Sequence, residues 1–294
     1  MARTPIDITV PDLTGRRAVV TGGSDGVGLV VARRLAAAGA EVVLPVSGRR
    51  EGEAAVAAIR DEVPGAVVSL RALDQTSVES VLALAAALRA ENQPIGILVG
   101  TATVAAPPDR RSTRNGCELQ FGADNLAWFA LVARLLPLLR AGGARVTSQV
   151  GRAARRGGVN WVDPNWDLTY SARRARAQSA IALGLFGLEL QRRSRAHDWG
   201  ITSTLAQPGP SGRAFADVLA ARRFPAGTPE TAALPVLHAA TSPDAEGGAL
   251  YGHLGEQRLH PTLSNPADAR RLWQLSEELS GVSTAAFEPA TAGR

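Results

Sequence analysis

The chain is 294 residues long, enough for one large α/β domain or two small ones, and its apolar share of 45% is ordinary for a globular core. It carries a net charge of +5, but all 32 of its basic residues are arginine, so any mechanism that needs an active-site lysine is excluded. The single cysteine, Cys117, excludes an internal disulfide and suits a reducing cytoplasm; no basic-then-apolar leader opens the chain, and no apolar run approaches the ~20 residues that cross a bilayer.

Taken in order, residues 18–20 read as a short buried strand, followed by the turn Thr21-Gly22-Gly23-Ser24-Asp25-Gly26-Val27-Gly28 and a helix over 29–38 stopped at Gly39. A strand over 41–46, a helix over 51–62 and a strand over 67–70 come next. Then follow a helix over 77–90, a strand over 95–99, a long helix over 115–140 and a strand over 144–147. The chain continues with a helix over 171–195, a strand over 201–205 closed by Pro208-Gly209-Pro210, a helix over 230–240, a strand over 249–251 and a helix over 267–279. Alternation of this kind predicts a doubly wound parallel sheet of about seven strands with helices on both faces, one Rossmann-like α/β domain over 1–294. Its core spans about 12–282, with loose tails over 1–10 and 284–294.

The paired arginines, such as Arg16-Arg17, Arg110-Arg111 and Arg192-Arg193, are interspersed with acids and lack interleaved aromatics, so they read as solvated faces and not as a nucleic-acid surface. His197, His238, His253 and His260 have no metal-ligand spacing, and Cys117 has no basic partner in sequence, so neither a metal site nor a reactive thiol is expected. The glycine turn, between a strand and a helix, lets backbone amides approach a pyrophosphate; Gly22, Ser24, Asp25, Gly26, Val27 and Gly28 are the candidate contacts.

Several further segments sharpen the reading. Glu118-Leu119-Gln120-Phe121-Gly122, Phe129-Ala130-Leu131 and Leu135-Leu136-Pro137-Leu138-Leu139-Arg140 resemble the central helix of short-chain dehydrogenases of the retinol-dehydrogenase-like branch. Val159-Asn160-Trp161, Asn165-Trp166, Tyr170-Ser171, Gln178-Ser179, Leu188-Glu189-Leu190-Gln191-Arg192-Arg193 and the run from Arg270 to Leu279 continue the likeness over about 12–282. The resemblance implies an NADP(H) or NAD(H) site, a small-molecule substrate and a homodimer or homotetramer; the lack of a long apolar run is what leaves no membrane partner expected. At the adenosine end it assigns Asp74 to the adenine ring and Ala102 to the run Gly100-Thr101-Ala102-Thr103, which replaces Asn-Asn-Ala-Gly. Ser47 stands where NADP-using members often place an arginine, and Arg49 and Arg50 are close enough in sequence to hold a 2′-phosphate.

Position by position, the family's catalytic set is missing. Its tyrosine and lysine fall on Arg176 and Ala180, its asparagine on Asp124, and its serine on Val150 or Gly151, with Ser148 and Gln149 the nearest polar groups. The threonine that grips the carboxamide falls on Arg213. Tyr170 and Arg174 imitate the halohydrin-dehalogenase variant, although members also carry a tyrosine at Tyr170 besides the catalytic one. Arginine cannot donate a proton near neutral pH. The candidate catalytic set is therefore Asp124 as a base, Arg176 as an oxyanion holder, and Ser148, Gln149 and Tyr170 beside them; alternatively, Asp124 and Arg176 form a salt bridge in a dead pocket. Trp128, Trp161, Trp166 and Tyr170 either line a mouth for a flat or polycyclic substrate or pack beneath a long loop. The expected activity is a non-redox step, such as cyclisation, isomerisation, dehydration or a pericyclic reaction on a secondary-metabolite intermediate. Two alternatives stay open: an NADP(H)-dependent oxidoreductase with a non-standard proton donor, and a non-catalytic partner or sensor.

Overall fold

The computed structural model describes residues 8–209 and 227–287; Arg213 lies outside them. Its strands are β1 (Arg17–Thr21), β2 (Glu41–Val46), β3 (Val68–Ala72), β4 (Ile97–Gly100), β5 (Arg145–Gln149), β6 (Thr202–Ala206), β7 (Leu250–Gly252) and β8 (Gly255–Gln257). They form one sheet in the order β3-β2-β1-β4-β5-β6-β7-β8, parallel except for the β7–β8 pair. The strand that sequence reading misses is β8, three residues without an apolar run, returned by a hairpin in which Gly255 takes φ +90°. The order of strands reverses between β1 and β4, the switch point where open α/β sheets bind ligands. Register there sets Thr21 beside Gly100 and Gly100 beside Ser148, so the carboxyl ends of β1, β4 and β5 meet at one edge.

The main helices are α1 (Gly26–Ala37), α2 (Arg49–Glu62), α3 (Val78–Glu91), α4 (Ala127–Ala141), α5 (Ala172–Ala196), α6 (Pro229–Thr241) and α7 (Pro266–Ser280). Their starts follow local chemistry. Ser77 and Thr228 accept the amides of Ser80 and Thr231, and Asn265 accepts that of Ala267 ahead of a proline-led turn. One face of the sheet packs on α1 and α6; the other packs on α4, α5 and α7, where Phe129, Phe186 and Trp273 meet with ring centroids 5.1–6.0 Å apart.

The helix expected over 115–140 begins later than its apolar pattern implies. Gly116 takes φ +82°, Ser112 bridges to Glu118, and the Asn115 side chain accepts the Val78 amide at 2.9 Å, so this stretch is a turn tied to α3. A π-helical turn, Phe121–Leu126, then leads into α4. Together these 21 residues are long and apolar enough to cross a membrane, contrary to the sequence reading, but most of the stretch is buried inside the fold. The C-terminal tail is also less loose than expected as far as Phe287. Thr284 is fully buried with its amide on Glu277 Oε1 at 2.8 Å, and Trp199 Nε1 donates to the Phe287 carbonyl.

Candidate active site

The turn after β1 is shaped by its glycines. Gly22 sits at φ +70° and a β-carbon there would meet the Ala102 backbone at 2.6 Å; one on Gly28 would collide with the Gly22 carbonyl. These contacts close the turn tightly against the end of β4. Gly26 differs: it takes φ +49°, is exposed, and a β-carbon on it would meet nothing within 4 Å. Asp25 precedes α1 in extended conformation (φ −153°) and gives no side-chain cap, so no side chain claims the first amides of the helix. Ser24 is half-buried and Val27 packs partly on the core. An open cradle with a positive helix end therefore faces the switch point, and it fits a dinucleotide pyrophosphate.

At the adenosine end, Ser47 is exposed immediately after β2. Arg49 and Arg50 are not in a loop; Arg49 opens α2, 90% exposed, and pairs with Glu53 at 2.7 Å. No carboxylate stands at the end of β2 to hold a ribose 2′-hydroxyl, and an ion pair as exposed as Arg49–Glu53 is weak enough for a 2′-phosphate to compete with Glu53. Asp74 is engaged locally: the Thr76 hydroxyl (2.7 Å) and amide, with Arg114 at 3.2 Å, hold its carboxyl below the usual carboxylate range.

The chemical end departs from expectation. Asp124 sits in the π-helical turn, 7% exposed, and its carboxylate accepts the Val104 amide at 2.9 Å, the Thr103 hydroxyl at 2.9 Å and the Ser179 hydroxyl at 3.4 Å. Burial pushes its pKa up to about 7. No bond or ion pair joins it to Arg176, which is exposed and has no hydrogen-bonded partner among the described residues. Neither the concerted pair nor the salt bridge is formed. The cavity that Asp124 lines, with Thr21, Gly100, Ala102 and Trp128, is about 20 Å³, too small for a substrate. Asp124 therefore braces the loop after β4 against α5. Thr103 and Ser179, its partners, went unnoticed in sequence because their spacing from Asp124 carries no local signal.

Ser148 is fully buried and its hydroxyl accepts Trp128 Nε1 at 2.9 Å, which removes both residues from a substrate mouth. Gln149 is half-buried, with Oε1 unpartnered among the described residues. Of the two candidates for the family's serine position, Val150 is fully buried and Gly151 looks onto the Ala180 methyl, 3.7 Å from an added β-carbon. Tyr170 donates to the Pro107 carbonyl at 3.1 Å, and burial pushes its hydroxyl pKa up; Arg174 lies instead over the Trp166 ring at 5.2 Å. Trp161 is covered by Arg271 at 4.6 Å. Cys117 is half-buried, which raises its thiol pKa.

Residues 16–159 match the short chain dehydrogenase family model. Mouse polyprenol dehydrogenase is 35% identical over 292 residues, covering 93% of this chain and 86% of the relative. The chain belongs to the short-chain dehydrogenase family. Human retinol dehydrogenase 13 is 30% identical, with 95% of this chain and 87% of that protein covered. A solved structure of an uncharacterized protein from Mycobacterium paratuberculosis superposes with a TM-score of 0.79 at 31% identity, over 94% of this chain and 97% of that one. The glycine turn and Asp74 lie inside the matched residues 16–159.

Proposed function

We propose that this protein is an NADP(H)-dependent oxidoreductase that interconverts an alcohol and a carbonyl and draws its proton from water, not from a side chain. The observation that carries this reading is the intact cradle at Gly22, Gly26 and Gly28, in a chain whose relatives bear dehydrogenase names. Those names favour a redox step over the cyclisation or isomerisation expected from the altered pocket. Gly22 to Gly28 would hold the pyrophosphate, Asp74 and Ala102 the adenine side, and Ser47 and Arg49 the 2′-phosphate. When bound, NADP(H) supplies or accepts a hydride at its nicotinamide.

This chain's own residues then set the fate of the charge. Arg176, exposed at the place of the family's proton donor, provides a fixed positive charge and N–H donors toward a developing alkoxide. It cannot protonate that oxygen, because guanidinium keeps its proton above pH ~12. Asp124 is kept from direct contact by its small cavity and instead holds the loop carrying Ala102. The test is NADPH titration by fluorescence together with NADPH oxidation in the presence of aldehydes. Both signals are expected in the native protein and both are expected to vanish in Gly26→Val, whose side chain would fill the cradle at an unfavourable φ of +49°.

A second reading, nucleotide binding without turnover, is favoured by the absence of any polar side chain at Gly151 and Ala180, which face each other. It predicts the same NADPH affinity with no oxidation of NADPH by any carbonyl.

A further inference from the structure

A second cleft, of about 790 Å³, opens where the turn after β5 meets the segment after β8. Arg155, Arg258 and His260 line it with Gln257, Ser264 and Asn265, whose side chains donate to Gly255, His260 and Asp268, and no carboxylate is among its lining residues. Some exposed and half-exposed arginines elsewhere are neutralised, Arg49 by Glu53, Arg71 by Glu91, Arg110 by Asp167 and Arg114 by Asp74, while others, such as Arg89, Arg140 and Arg176, stand unpaired among the described residues without lining a cleft of this size. Arg155 and Arg258 are exposed and have neither an ion pair nor a hydrogen bond among the described residues. The two walls are fastened to each other. His260 Nδ1 lies 3.0 Å from Thr262 Oγ1, and that hydroxyl donates to the Ala154 carbonyl at 3.0 Å, next to Arg155. The cations are thus held around one concavity on tied backbone, at a turn that leaves the carboxyl end of β5.

Uncompensated guanidinium groups in a concave setting match a planar or tetrahedral oxyanion, which they bind through charge-assisted hydrogen bonds. We propose that this cleft is an anion subsite that takes the phosphate or carboxylate of an acidic substrate. Calling the ligand a substrate rests on the oxidoreductase reading; the anion site itself does not. A neutral polyisoprenoid or retinoid alcohol would leave the two guanidinium groups without a partner, so the proposal separates this chain from the relatives named for such alcohols.

The test is calorimetric titration of inorganic phosphate, and separately of malonate, into the full chain and into Arg155→Gln/Arg258→Gln, with NADPH titration as the control for folding and for the cradle. Both substituted residues are exposed, so the variant is expected to fold. The expected result is at least a tenfold weakening of one anion site in the variant with NADPH affinity unchanged. The tighter of the two probes tells a phosphate-bearing from a carboxylate-bearing ligand. Equal affinities in both proteins, or no anion bound outside the nucleotide cradle, would overturn the proposal. Because the titration needs no turnover, an intact anion site in a protein that reduces no aldehyde would count against the oxidoreductase reading alone.

Discussion

At the scale of single residues, Asp124 makes a prediction with a definite sign. Its folded pKa of about 7 lies above its ordinary 3.8, so the native state holds a proton that the unfolded chain releases. Its contribution to stability is fully present below the unfolded value and is lost as pH rises toward 7. Asp124→Asn keeps an acceptor for the Val104 amide and removes that loss. Compared with the parent, the variant should be equal near pH 4 and more stable at pH 8 by on the order of 2–4 kcal/mol, read by urea unfolding. A parent–variant difference that does not grow with pH would show that the carboxyl is not held neutral by burial. Arg49 makes a second prediction: Arg49→Ala should weaken NADPH binding about tenfold while leaving NADH binding unchanged, since only the 2′-phosphate distinguishes the two. Equal losses for both nucleotides would place Arg49 outside the 2′-phosphate site. On the proposed reading, Arg176→Tyr/Ala180→Lys would supply an acid and its tuning cation. Gly151 leaves room beside Ala180, and the double variant should raise the reduction rate by about 100-fold, the typical contribution of a placed proton donor.

The elements show why some of this was legible in the sequence and some was not. Strands β1 to β7 and all the main helices announce themselves through apolar runs, glycine stops and caps, and their observed bounds differ from the sequence reading by only a few residues apart from the start of α4. That start failed because the apolar period of 119–141 blends backwards into 115–118, where Gly116 and the tertiary bond from Asn115 to Val78 override it. The glycine turn could be read because its function lies in local backbone geometry. The pairing of Asp124 with Thr103, and of Trp128 with Ser148, could not, because each joins residues 20 or more apart through packing of α4 on β4 and β5. These ties carry an element-scale prediction. Ser148→Ala leaves Trp128 Nε1 without its acceptor in a fully buried setting and should cost about 1–3 kcal/mol in thermal or urea unfolding. No loss would mean that the indole finds another acceptor and that the β5–α4 contact is not held by this bond.

For the molecule as a whole, the fold supplies two separate recognition features along the carboxyl edges of its strands: a glycine cradle at the β1–β4 switch point and a basic cleft beside the β5 turn. Besides these, Asp124 is buried and tied to the loop after β4, and Arg176 is exposed in the first turns of α5. The central claim is that this arrangement still transfers hydride, and it is tested most directly by deuterium transfer. The protein would be incubated with NADPH deuterated at the transferable nicotinamide position and a panel of aldehydes with and without an acidic group, and the product alcohols weighed by mass spectrometry. The account predicts one deuterium in the alcohol from the native protein, more rapid labelling by Arg176→Tyr/Ala180→Lys, and none from Gly26→Val. An unlabelled product pool from the native protein, under conditions where the double variant labels the same aldehydes, would contradict it.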